Sequence, residues 1–350
     1  MARSLNTSTK RSDAQEAVLW RPLADGAVAC DLCAHRCHVL PGRSGVCKVR
    51  INDGGALRTL VKNRLVAAAV DPIEKKPLFH FLPGSLAYSV ATAGCNFRCD
   101  FCQNWRISQA ARLAPRSIPG ESFPPEAVVD GALRSGCASI AFTYTEPTVF
   151  FETAEEAGLL AREAGLKNIF VTNGYMTREA AMRAKAFLDA ANVDLKGFDD
   201  RRYRRACGAA LKGVLEGIEA LIEAGIWVEI TTLVVPGFND SKEELAAIAR
   251  YVASLGPRIP WHLSRFHPDF KRTGCPATPV STLERARNWG IEAGINHVYV
   301  GNLPGHRAEN TFCPNCATIL IERSGFSLMG NRIAGGCCPG CGAKVAGIWV

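Results

Sequence analysis

Seven short apolar runs, six of them leading into a longer stretch, set the limits on what this chain can fold into. The runs are "YSVATAG", "SIAFTYT", "NIFVTNG", "ANVDLK", "IWVEITTLVV", "IPWHLSRF" and "HVYVGN". Each is short, rich in β-branched residues and largely non-alternating, as expected of parallel strands covered on both faces. Between them lie Ala-, Leu- and Glu-rich patterns such as "PEAVVDGALRSG", "TAEEAGLLAREAG" and "SKEELAAIARYVASLG", several ending on a glycine in C-cap position. Repeated strand-helix units mean an α/β fold with a parallel sheet, either doubly wound or closing toward a barrel. In such folds chemistry gathers at the carboxyl ends of the strands. The ends here carry Thr145, Glu146 and Pro147; Asn173 and Gly174; Asp194 and Lys196; Pro236 and Gly237; then His262, Arg265 and His267.

The chain has 350 residues, 47% of them hydrophobic, enough for one barrel-sized domain with small appendages. Its formal charge of +8 is dispersed, apart from a run at Arg201, Arg202, Arg204 and Arg205. That run reads as a solvated face, with a specific acidic partner as the alternative. Basic residues do not interleave with aromatics, which speaks against nucleic acid. No apolar stretch reaches the roughly eighteen residues of a membrane helix, and the start "MARSLNTSTKRSDAQ" lacks a signal peptide's apolar segment. A cytoplasmic protein is expected.

Fifteen cysteines in a reducing compartment favour metal over disulfides. Cys137, Cys207 and Cys275 stand alone and read as small buried apolar residues. Cys95, Cys99 and Cys102 form a C-x3-C-x2-C loop directly after the first strand run. Three thiolates leave one iron of a 4Fe-4S cube without a protein ligand, an open position of the kind catalysis needs. The competing reading is a zinc or electron-transfer site with a remote fourth ligand. Cys313, Cys316, Cys338 and Cys341 make two C-x2-C knuckles flanking an alternating stretch, the pattern of a zinc ribbon, with rubredoxin-like iron as the alternative. Cys337 is left out because only Cys338 is spaced C-x2-C with Cys341. Cys30, Cys33, Cys37 and Cys47 sit in a C-x2-C-x3-C-x9-C pattern that accepts either zinc or an auxiliary 4Fe-4S cluster. The turn "LPGRSG" tilts that choice toward zinc, and His35 and His38 inside the loop read as bystanders.

The C-x3-C-x2-C spacing, with Phe101 before its last cysteine and a βα series around it, resembles the radical S-adenosylmethionine (SAM) superfamily. The resemblance implies a partial (β/α)6-type TIM-like barrel and a 4Fe-4S cluster on Cys95, Cys99 and Cys102. The open iron would chelate S-adenosylmethionine. One electron would cleave the sulfonium to methionine and a 5'-deoxyadenosyl radical, which takes hydrogen from a substrate. Cofactor contacts carry over to Phe101, Glu146, Asn173, Asp194, Lys196, Gly237 and His262. Family members usually end the second strand on Gly-Gly-Glu; "TYTEP" keeps the acid, Glu146, and lacks both glycines. "VTNGY" and "VDLKGFD" resemble the third and fourth strands of glycyl-radical activating enzymes. Glu146 would meet the cofactor's ammonium and Lys196 its carboxylate. Each has a plainer reading: Glu146 as a helix-start acid, Asn173-Gly174 as turn chemistry, Lys196 paired only with Asp194, His262 as a satisfied structural histidine.

Across nearly the whole chain, "CDLCAHRCHVLPGRSGVCKVR", "VDPIEKKPLFHFLPGS", "FTYTEPTVFFE", "WHLSRFHPD", "VGNLPGH" and the ribbon resemble the radical enzymes of the AmmeMemoRadiSam system, relatives of pyruvate formate-lyase activating enzyme. That implies Memo-type and AMMECR-type partner proteins and an electron donor such as flavodoxin or ferredoxin, and leaves the substrate open between a small molecule and a partner protein. The expected organisation is a Cys-rich metal module over 1–87, a radical SAM core over 88–305 and a zinc ribbon over 306–350. A glycyl-radical activase and a non-enzymatic redox or nucleic-acid adaptor are the rival functions.

Overall fold

The computed structural model describes residues 14–115 and 117–350; the first thirteen residues, most of the polar start, lie outside the described residues. Its largest sheet has eight strands: β1 (Ala67–Pro72), β2 (Leu86–Ala91), β3 (Ser139–Phe142), β4 (Lys167–Thr172), β5 (Ala190–Asp194), β6 (Trp227–Val234), β7 (Trp261–Arg265) and β8 (Val298–Gly301). From β2 to β8 neighbours pair in parallel and in sequence order, while β1 joins β2 antiparallel. The α/β class and the parallel sheet are those expected, and every quoted run coincides with one parallel strand. The sheet stays open, with β1 and β8 as its edges.

Helices cover one face: α1 (Pro125–Arg134), α2 (Phe151–Glu163), α3 (Arg178–Ala184), α4 (Asp200–Cys207), α5 (Leu211–Glu223), α6 (Lys242–Leu255) and α7 (Val280–Glu292). Thr177, Asp199 and Ser241 cap α3, α4 and α6 by accepting backbone N–H groups one turn on. Alternate strand residues part to opposite faces. Ile140, Phe142 and Phe170 join the large core under the helices, whereas Ala87, Ala141, Ile169 and Ala190 face a second cluster built from Ile73, Leu78 and Phe81. Three alanines on that inner face leave room for the 73–82 arm, which lies against the sheet as a plug.

The small modules are stapled to this frame. In the amino-terminal one, Arg50 is fully buried and ion-paired with Glu152 of α2. At the other end, strands Thr311–Phe312, Ile319–Ser324 and Ser327–Asn331 form an antiparallel ribbon. Arg323 of the ribbon donates to the Phe79 carbonyl at 2.8 Å, and Ile348 bridges Phe81. Within the stretch read as an amino-terminal module, Ala67–Pro72 is a strand of the large sheet and the arm packs against that sheet.

Helix α5 meets the loop after β4 backbone to backbone. A Cβ built on Gly217 would lie 1.8 Å from the Gly174 carbonyl oxygen. In an open helix, Gly→Ala stabilises by about 1 kcal/mol; here the clash with backbone reverses the sign. Gly217→Ala should lower stability by about 1–3 kcal/mol, read as a fall in melting temperature of the holoprotein. An unchanged or raised melting temperature would show that α5 is free to move away.

Candidate active site

The carboxyl ends of the parallel strands open into one cavity of about 560 Å³. Its walls include Cys95, Cys99, Cys102 and Phe101 from the loop after β2, Glu146, Asn173, Asp194, Lys196 and His262. Gly237 stands outside these walls in a turn at φ +73°, its N–H bonded to Asp240.

The cysteine loop is held from several sides. The Phe97 N–H points at Cys95 Sγ at 3.3 Å, and the Ser108 hydroxyl lies 3.2 Å from Cys102 Sγ. Arg112 donates to the Cys95 carbonyl. Burial pushes the Cys95 and Cys102 thiols up. Cys99 is held down instead, first by a hydrogen bond from Cys207. So Cys207, unplaced by sequence, touches the loop through a long-range contact from α4. These sulfurs are not gathered around one point: among the described residues only Cys313, Cys316, Cys338 and Cys341 have ligand atoms mutually within 4.8 Å. An N–H and a hydroxyl rest on two of the three sulfurs, contacts of the kind that tune an iron-sulfur centre.

Glu146 is a knot. Its Oε1 accepts from the Thr148 N–H, the Thr148 hydroxyl at 2.6 Å and the Thr172 hydroxyl at 2.7 Å, and its Oε2 accepts from the Asn173 N–H at 2.8 Å. Complete burial still pushes its carboxyl above the usual range, the hydrogen bonds pulling the other way. Asn173 then donates to Asn96 Oδ1 at 2.7 Å, tying the end of β4 to the cysteine loop. Lys196 Nζ lies 2.8 Å from Asp194. Burial opposes its charge, but Asp194 and Cys99 outweigh that and keep it cationic. His262 Nε2 lies 2.7 Å from Glu229, stacks on Tyr299 and still faces the cavity.

Several wall residues escaped the sequence reading. Thr231 on β6 has a buried hydroxyl without a hydrogen-bond partner, a polar atom left for a ligand. Tyr144 adopts φ +61° and donates to Asp71, which also binds Lys75 and Lys76. Lys76, Phe79, Leu303, Glu309 and Phe326 bring the arm and the ribbon into the wall. For Lys76, Phe79 and Leu303 the signal lay in "VDPIEKKPLFHFLPGS" and "VGNLPGH", but nothing local says that these segments meet over the strand ends. In the ribbon, Cys313 and Cys341 sulfurs lie 3.6 Å apart, as do those of Cys316 and Cys338. A tetrahedral ion with bonds of about 2.3 Å sets its thiolates about 3.8 Å apart, so this quartet could hold one metal ion.

The Radical SAM superfamily matches residues 89–251. Over 334 residues the chain is 44% identical to "Uncharacterized protein MJ0808" of Methanocaldococcus jannaschii, which spans 95% of this chain and 98% of that one. It is 24% identical over 238 residues to the pyruvate formate-lyase-activating enzyme of Staphylococcus aureus, 63% of this chain and 92% of the relative. An isethionate sulfite-lyase activating enzyme of Nitratidesulfovibrio vulgaris shares 34% identity over 113 residues, 31% of this chain and 36% of its own length. The chain belongs to the radical SAM superfamily and is a radical SAM enzyme, working with a [4Fe-4S] cluster, S-adenosylmethionine and a reductant.

Glutamine at position 146 offers one acceptor oxygen where the carboxylate offers two. Glu146→Gln should therefore strand the Asn173 N–H or the two threonine hydroxyls, costing about 1–3 kcal/mol locally. Hydrogen exchange at residues 172–174 should accelerate at least several-fold. Unchanged exchange there would mean that the turn is held by something other than Glu146.

Proposed function

We propose that this radical SAM enzyme acts on a small molecule enclosed between the strand ends, the arm and the ribbon. The observation that carries it is one cavity whose wall joins Cys95, Cys99 and Cys102 to the polar strand ends on one side and Phe79, Glu309 and Phe326 on the other. A volume of about 560 Å³ falls within the range of small-molecule sites. The roof of ribbon and arm weighs against docking a glycine of a large partner, and so against an activase. An adaptor has no use for such a cavity.

Cys95, Cys99 and Cys102 would ligate the cluster, which with S-adenosylmethionine supplies reductive sulfonium cleavage and hydrogen abstraction when bound. Lys196, kept cationic by Asp194, offers a compact charge for the methionyl carboxylate. Glu146 sets the Asn173 turn, and its buried oxygens stand near a position for the ammonium. Phe101, packed on Phe238, fixes the last cysteine. His262, oriented by Glu229, is the wall residue best suited to hold or move a proton on the substrate, its second ring nitrogen being the free one. Thr231 gives a further hydroxyl to a bound polar group. The arm lysines and Glu309 give the same cavity wall both signs of charge.

The ribbon quartet would hold zinc as a structural staple. The electron would come from a flavodoxin- or ferredoxin-type donor. The whole-chain resemblance to the AmmeMemoRadiSam radical enzymes points to Memo-type and AMMECR-type partners in the cytoplasm. Among the described residues no helix is long and apolar enough to cross a membrane.

Anaerobically reconstituted protein should cleave S-adenosylmethionine to 5'-deoxyadenosine on reduction. Cys95→Ala/Cys99→Ala/Cys102→Ala should abolish this while the ribbon metal stays bound; residual product from the triple variant would refute the ligand assignment. Lys196→Met should weaken S-adenosylmethionine binding by about 1.5–3 kcal/mol, roughly tenfold or more. Wild-type affinity, read by equilibrium binding, would reduce Lys196 to a partner of Asp194.

A further inference from the structure

Cys30, Cys33 and Cys47 are buried and Cys37 is half-buried. The four thiols lie within electrostatic reach of one another. Yet no three of them have sulfurs mutually within 4.8 Å, the spacing that the ribbon quartet meets. A single ion would draw them to about 3.8 Å. Four thiolates complete the ligation of a cube. Arg50 donates to Cys30 Sγ at 3.6 Å and the Val46 N–H to Cys37 Sγ at 3.4 Å. Hydrogen bonds and a buried cation at the sulfurs are what tune an iron-sulfur centre.

This loop also lies against the central one. Gly94, at φ +103° just before Cys95, is pressed so closely that a Cβ would sit 2.6 Å from Val49 and 3.6 Å from the Cys47 carbonyl oxygen. His35, two positions after Cys33, has its Nε2 2.9 Å from the carbonyl of Asn96, the residue that follows Cys95. Arg112 is in electrostatic contact with Cys47 and Cys95 together. On the outer side, Leu40 and Val46 are exposed beside exposed Arg43 and Lys48, an apolar patch rimmed by positive charge.

We propose that Cys30, Cys33, Cys37 and Cys47 ligate a second [4Fe-4S] cluster that passes electrons to the central one. The inference rests on the central ligation proposed above. The step moves one electron and no atoms: an acidic low-potential one-electron carrier reduces the second cluster, which is reoxidised as the central cluster is reduced. The hydrogen bonds at the sulfurs and the contact with the central loop carry the cluster over the zinc that "LPGRSG" favours.

Iron and zinc counted in the anaerobically reconstituted full chain should come to about eight irons and one zinc. Dithionite-reduced protein should give electron paramagnetic resonance signals broadened by coupling between two clusters. About four irons with two zincs, or one uncoupled signal, would overturn the proposal. The Cys95→Ala/Cys99→Ala/Cys102→Ala protein separates the two readings: about four irons remaining supports the second cluster, and none remaining refutes it. If instead the wild type holds only four and the triple variant keeps them all, the central assignment is the one that fails. For the relay, Cys30→Ser/Cys33→Ser should keep dithionite-driven 5'-deoxyadenosine formation and lose about tenfold with reduced flavodoxin. Should that variant not fold, Arg43→Glu/Lys48→Glu leaves every cysteine in place and should slow only the flavodoxin-driven reduction. Equal flavodoxin-driven rates in the variants and wild type would overturn the relay.

Discussion

A single buried carboxylate decides whether the strand ends can enclose anything. Glu229 on β6 has no exposed surface, and it accepts the Phe79 and His80 N–H groups, the Trp227 indole N–H and a hydrogen bond with His262. Burial works against its charge; the donors, His262 first, outweigh that and hold its carboxyl below the usual range. Burying an unpaired carboxylate would cost several kcal/mol, so the network is retained whole or not at all. Without it, the 73–82 arm would keep the Asn192–Pro77 and His80–Tyr299 hydrogen bonds to the sheet but would lose the acceptors of the Phe79 and His80 N–H groups at its centre.

From that anchor the rest of the enclosure follows. His80 reaches Tyr299 at 2.6 Å and the Ala346 carbonyl at 2.7 Å, so the arm is clamped between β8 and the end of the chain. Burial drives the His80 imidazole down to about 4, the first cause being loss of water and the opposing one Glu229. It stays neutral and can serve as a hydrogen-bonding crosslink at any pH near neutrality. Arg323 of the ribbon closes the same group through the Phe79 carbonyl and Thr311. The open sheet thereby acquires further walls from segments that flank the core in sequence.

How much of this was legible depended on the range of the physics. The parallel strands could be read because each run carries its own pattern, and the cysteine loop because thiol spacing is a local property. Glu146, Asn173, Asp194, Lys196 and His262 could be found because strand ends converge in any such fold; Gly237 belongs to the same list but serves a turn. β1 was missed: "AAAVDP" holds three alanines and ends on proline, and it becomes a strand only by pairing with β2. Cys207 reads as an isolated apolar residue until α4 is docked on the loop at Arg98. Thr231 is one of two adjacent threonines on β6, and its lack of a partner appears only once the wall is assembled.

Glu146 shows why geometry alone leaves two roles at one residue. The resemblance sets it in the place of the superfamily's acid, but where two glycines would precede it stand Tyr144 and Thr145, and both are engaged. Tyr144 takes a left-handed backbone that glycine would adopt at lower cost, and it is held there by Asp71; Thr145 donates to the Thr92 carbonyl at 2.9 Å. The segment that glycines leave free for a ligand's close approach is therefore tied to β1 and to the end of β2. A carboxylate in that setting needs its four internal hydrogen bonds to keep the segment in place, whatever it also offers a ligand. The same oxygens that brace the turn are the ones an ammonium would meet, so the brace and the binding contact cannot be separated by deleting the side chain. They can be separated by charge, because the brace needs acceptors while an ammonium needs the negative charge as well.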